Sequence, residues 1–153
     1  MAGWAVRHVT DIPTVADGDA DDPDWYPLQH FFGFTTFGAN VFVATRVSQT
    51  LVAEHDEQSS GQQELYVVLE GEADFELADE QVHATRGTVV AVTDPTVKRR
   101  AVARTSGTML LAIGVGEGSF SSTWRESHFK DVPRADAESA GLDESDAGSG
   151  RSR

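Results

Sequence analysis

Two stretches decide the fold: GQQELYVVLEGEADFEL at Gly61–Leu77 and ATRGTVVAVTDPTVKRRAVA at Ala84–Ala103. In the first, Glu64–Leu69 and Ala73–Leu77 are short runs rich in β-branched and aromatic residues, parted by Glu70-Gly71. In the second, Thr88–Val92 and Val97–Ala103 are parted by Asp94-Pro95. Such runs, bounded by turn residues, read as strands. Outward from them lie Asn40–Val47, Thr50–Glu54, Gln81–Thr85 and Thr108–Val115, with further turn signals at Ala78-Asp79, Arg86-Gly87 and Ser106-Gly107. Eight short strands without an intervening helix predict an all-β sandwich or barrel, and closure of the sheet would remove exposed edges.

Composition narrows the function classes. The chain has 153 residues, enough for one domain, and 39% of them are hydrophobic. Cysteine is absent, which excludes disulfides, thiolate catalysis and Cys-bound metal. Lys and Arg number 12 against 25 Asp and Glu, a formal charge of −13. That field repels phosphate backbones, so neither nucleic acid nor an anionic membrane is expected as a partner. No apolar run approaches the ~20 residues that span a bilayer. The opening MAGWAVRHVTDIP has no apolar signal-peptide core, so a cytoplasmic location is expected.

The acid is unevenly placed. Residues 10–24 carry six aspartates and no aromatic, and residues 134–153 carry one Leu among small and charged residues. Neither stretch offers enough apolar surface to offset the entropy of ordering it. The expected division is an acidic arm and aromatic segment over 1–34, a β-barrel over 35–118, a short C-terminal helix or extension over 119–135, and a disordered polar tail over 136–153. The helix is expected at Thr123–Phe129, where Thr123 and Glu126 have capping-box spacing.

The two opening stretches resemble the paired motifs of the cupin superfamily. Glu64 followed by six residues and Gly71 matches the end of that family's first motif, and Gly87 with Pro95 matches its second. The likeness covers roughly residues 35–115 and implies a double-stranded β-helix, or jelly-roll, barrel. With HFFGFTTFGANVFVA upstream, the chain looks like a small single-domain group of actinobacterial type. Function follows less directly, because one fold hosts many activities.

The resemblance also implies a place for a divalent metal, held by two His and a Glu in the first motif and a His in the second. Here Glu64 stands at the Glu position, while Gln58 and Ser60 stand near the expected His positions. His55-Asp56-Glu57 offers a variant set of His55, Glu57 and Glu64. Alignment on Pro95 puts Arg99 at the remaining His position, and a guanidinium has no lone pair for a metal. A degenerate site with no metal is therefore expected, the alternative being a divalent transition metal on the variant set.

Strand alternation places the same residues. Glu64, Tyr66 and Val68 share one face, as do Val97, Arg99 and Ala101, with Lys98 and Arg100 on the other. If Glu64 points inward, Arg99 faces it as a charge-assisted pair. Such a pair either satisfies itself and rigidifies the barrel, or lets Arg99 bind an anionic ligand. The candidate ligand-binding residues are Glu64, Tyr66, Arg99 and His55. The expected function is binding of a small molecule, an anionic one included; the alternative is a metal-dependent dioxygenase or isomerase. His30 sits in an aromatic cluster, Trp25 to Phe37, that reads as core or homodimer interface. His83 reads as an exposed or satisfied strand residue rather than a ligand, and His8 and His128 lack neighbours of ligand type.

Overall fold

The computed structural model describes residues 3–15, 19–118 and 126–135. The chain divides into two compact units, 1–118 and 119–153. Among the described residues the first holds nine strands: β1 (Asp24–Tyr26), β2 (Gly38–Val43), β3 (Thr50–His55), β4 (Gln63–Glu70), β5 (Glu72–Leu77), β6 (Glu80–Thr85), β7 (Val89–Val92), β8 (Arg99–Ala103) and β9 (Met109–Val115). One helix, α1 (Leu28–Phe32), lies between β1 and β2. Among the described residues no helix is long and apolar enough to cross a membrane.

The strands form two antiparallel sheets, ordered β1-β2-β9-β4-β7 and β3-β8-β5-β6. All eight expected strands are present, and the double-stranded β-helix is the fold. Every expected strand shifts by a residue or more at one end or both, and two of these shifts have a visible cause. The strand expected over Asn40–Val47 ends at Val43, where Ala44 and Ser48 turn the chain and Ser48 takes φ 62°. The strand expected from Val97 starts at Arg99, because Val97 N bonds back to Asp94 O and closes the turn. Strand β1 and helix α1 were not expected.

Between the sheets lies a core in which Tyr66, Phe75 and Leu110 are almost fully enclosed. Each such side chain contributes about 1.5–3 kcal/mol. A second cluster, Ile12, Tyr26 and Val41, forms where the N-terminal segment and α1 cover the outer face of β2 and β9; Leu28, Phe32 and Leu111 pack on it. Gly71 joins β4 to β5 at φ +72°, and a Cβ there would stand 2.9 Å from Thr108 Cα. That turn needs glycine for both its handedness and its space. In the second unit Glu126–Phe129 is a 3-10 turn. The rest of the helix expected from Thr123, and the tail over 136–153, lie outside the described residues.

Candidate functional site

Four side chains converge between the sheets because alternation aims them there. Glu64 and Tyr66 project from β4, two residues apart on its inner face. His55 ends β3 directly opposite Arg99 of β8. Arg99 is wholly enclosed, with a side-chain exposure of 0%. Lys98 and Arg100 point outward to Glu54 and Glu76.

Glu64 Oε2 is the hub. Arg99 Nε donates to it at 2.8 Å, and the Tyr66 hydroxyl donates at 2.5 Å. Arg99 Nη2 also lies 2.8 Å from Oε2, yet its N–H bonds are not aimed there, so this buried nitrogen has a tight ion pair but no aligned acceptor. Arg99 Nη1 donates to Val97 O at 2.7 Å. Among the described residues Glu64 Oε1 receives no hydrogen bond. Burial alone would lower the Arg99 pKa; hydrogen bonds with Glu64 and Tyr66, together with the Glu64 charge, outweigh it and raise the pKa. Burial, then the hydrogen bond to Glu64, pushes the Tyr66 phenol well above its ordinary range.

His55 completes the cluster from the opposite sheet. Its Nδ1 donates to Ala53 O at 2.8 Å, which turns Nε2 toward Glu57 Oε1 and Glu64 Oε2, each 3.5 Å away. A ring fixed through Nδ1 in this way presents Nε2 to a proton or a metal. Glu57 comes from the loop after β3, tied to the β7–β8 turn by Glu57 N to Pro95 O at 2.8 Å, and Ser60 Oγ donates to its carboxylate. His55, Glu57 and Glu64 offer ligand atoms within 4.8 Å of one another. The chemistry of this donor set fits a divalent cation, though the neighbouring guanidinium already neutralises one carboxylate.

The cluster borders a cavity of about 760 Å³. His55, Glu64 and Tyr66 line it; Arg99 does not, lying behind Glu64. Trp25 and Phe42 form an aromatic wall, with ring centroids 6.1 Å apart, and Trp25 Nε1 donates to Asn40 Oδ1 at 2.7 Å. Sequence reasoning missed this wall by reading Trp25 as core or interface. It also missed Asp21 and Asp22, which line the cavity from the acidic N-terminal segment. Buried Gln49 pins that segment by donating from Nε2 to Asp21 O at 3.0 Å, and Arg46 pairs with the Asp21 carboxylate at 3.0 Å.

The fold is that of the cupins. Over 71% of this chain and 89% of the other, it superposes on a cupin protein from Bacteroides fragilis with TM-score 0.56 and 18% identity. A Thermus thermophilus protein matches at 0.56 and 13%, covering 74% of this chain and 98% of its own. A sugar phosphate isomerase of the cupin superfamily from Silicibacter pomeroyi matches at 0.52 and 18%, covering 63% and 61%. No family model and no curated protein matches the sequence.

Proposed function

We propose that the chain binds a small hydroxyl-bearing ligand, neutral or cationic, in the cavity beside Glu64. The arrangement of Glu64 carries this reading: one oxygen is saturated by Arg99 and Tyr66, while Oε1 remains an open acceptor on a residue that lines the cavity. Asn40, Thr50 and His55 add polar partners, and Trp25 and Phe42 supply an apolar wall. Cavities with a few convergent polar groups on an apolar lining are the usual form of small-molecule sites. The anionic ligand considered from the sequence loses its anchor. Arg99 spends its charge on Glu64, Arg46 is held by Asp21, and the lining carries Asp21, Asp22 and Glu64.

A second reading rests on His55. With Nδ1 committed to Ala53, Nε2 faces two carboxylates, and His55, Glu57 and Glu64 would hold a divalent transition metal. A bound metal would supply Lewis-acid chemistry of the kind a dioxygenase or isomerase uses. Tyr66 would then keep its proton on Glu64 Oε2, and Arg99 would hold that carboxylate in place. Charge favours the first reading. Arg99 already neutralises one of the two carboxylates, so a divalent ion would turn one net negative charge among Glu57, Glu64 and Arg99 into one net positive charge in a half-buried site.

Elemental analysis of the purified full-length chain, with thermal-shift titration of manganese, iron, nickel and zinc, separates the readings. The first expects no stoichiometric metal in the wild type and a gain of metal affinity in Arg99→His. Tight binding of one transition metal per chain, lost in both His55→Ala and Glu57→Gln, would establish the second.

A further inference from the structure

The cavity carries more negative charge than its own cations balance. Carboxylates of Asp21, Asp22 and Glu64 line it, against the single guanidinium of Arg46. Arg99 neutralises Glu64 from behind, and Arg46 holds Asp21 at 3.0 Å. Asp22 is left over. Its Oδ2 accepts the Asp19 N–H at 2.9 Å, and among the described residues no Lys or Arg pairs with it. Glu57 adds a further carboxylate beside His55. In a chain of formal charge −13 the surroundings reinforce this field rather than cancel it. A cleft lined by one sign of charge concentrates ligands of the other.

The aromatic side of the cavity suits the same sign. Trp25 of β1 stands opposite Phe42 of β2, with ring planes tilted by 38°. Trp25 is 41% exposed, and its polar edge is already used, because Nε1 donates to Asn40 Oδ1. What the ring offers the cavity is therefore its π-system, whose face carries negative charge density and attracts cations. The same hydrogen bond engages Asn40 Oδ1, the neutral acceptor beside the rings, so an ammonium bearing N–H groups gains little there. A methylated ammonium needs no acceptor. Between this wall and the Glu64–Tyr66 side the floor is low: Ala112 of β9 pairs with Tyr66 on one side and Asn40 on the other.

We infer that the ligand carries a methylated ammonium group, seated against Trp25 and Phe42 beside Asp22, across Ala112 from Glu64. The inference rests on the proposed function only in taking the cavity as a small-molecule site with the ligand's hydroxyl on Glu64; the cation seat itself stands on Trp25, Phe42 and Asp22. A quaternary nitrogen and a quaternary carbon have nearly the same size and shape, so this seat separates them by charge. The ring faces and the Asp22 carboxylate supply that separation. Trp25 and Asp22 are thus specificity-determining residues. Both belong to the stretch that Gln49 pins to the barrel through Asp21 O, which gives the acidic N-terminal segment a part in recognition.

Titration of the full chain, followed by its amide NMR shifts, tests this with choline, its uncharged isostere 3,3-dimethyl-1-butanol, and tetramethylammonium, which has the charge without the hydroxyl. Choline should bind about tenfold more tightly than the isostere. Trp25→Leu and Asp22→Asn should each remove most of that preference while leaving the isostere's affinity unchanged, and Trp25→Phe should keep part of it. A second readout needs no variant: raising salt from about 20 to about 500 mM should weaken choline several-fold and leave the isostere alone. Tetramethylammonium binding as tightly as choline would uphold the cation seat and remove the hydroxyl contact with Glu64. Choline and its isostere binding equally would overturn the inference and leave the hydroxyl site standing. Failure of both cations to bind at about 10 mM would also overturn it.

Discussion

Removing either partner of the Arg99–Glu64 pair should be costly, and the two costs should differ. In Arg99→Met the carboxylate loses both guanidinium contacts at 2.8 Å. For charge centres ~4 Å apart at an effective dielectric of about 20, the lost attraction is about 4 kcal/mol. Breaking buried pairs typically costs about 3–5 kcal/mol. Glu64 has two ways to limit the damage: its side chain is 13% exposed to the cavity, and it can take up a proton. Arg99 has neither, with 0% exposure and a guanidinium that stays charged. Glu64→Gln should therefore cost more than Arg99→Met, by about 1 kcal/mol or more on the penalty for a buried unpaired charge. The double substitution should recover much of the loss, because no orphaned charge remains. Urea unfolding at pH 7, with the slope unchanged across the set, measures all three. Costs under about 1 kcal/mol for both singles, or a double equal to the sum of its singles, would show that the pair does not act as a unit.

Gly71→Ala should destabilise the fold by about 2 kcal/mol or more, because it adds left-handed strain to a Cβ only 2.6 Å from Thr108 Oγ1; thermal unfolding of the variant reads this directly. On the outer face of β5, hydrogen bonds and charge from His83 and Arg104 overcome the opposing effect of burial and hold the Asp74 carboxyl below its usual range. A depressed folded-state pKa stabilises above the ordinary aspartate value of about 4 and loses that contribution as pH falls below it. Asp74→Asn should cost about 0.5–1 kcal/mol at pH 7, after discounting for solvent. The difference from wild type should close as unfolding is repeated at falling pH below that value.

Alternation made the inward face of β4 and β8 readable, and with it the meeting of Glu64, Tyr66 and Arg99. The placement of His55 was not readable, because β3 carries two register shifts before it reaches Arg99. Strand β1 escaped notice since three residues cannot show a period of two. Helix α1 has five residues and no side-chain cap at Pro27; it exists because Leu28 and Phe32 pack beside Ile12 and Tyr26. The acidic wall of the cavity depends on Gln49 reaching a backbone oxygen 28 residues away, a contact that no local pattern announces.

The enclosed Arg99 has a consequence for how this barrel is made and kept. Its central positive charge is part of the polypeptide, present as soon as the strand that carries it is synthesised. That charge cannot be stripped by a chelator, exchanged for the wrong ion or altered by an oxidant. The interior carboxylate is thus neutralised during folding itself, whatever the cell's supply of trace elements.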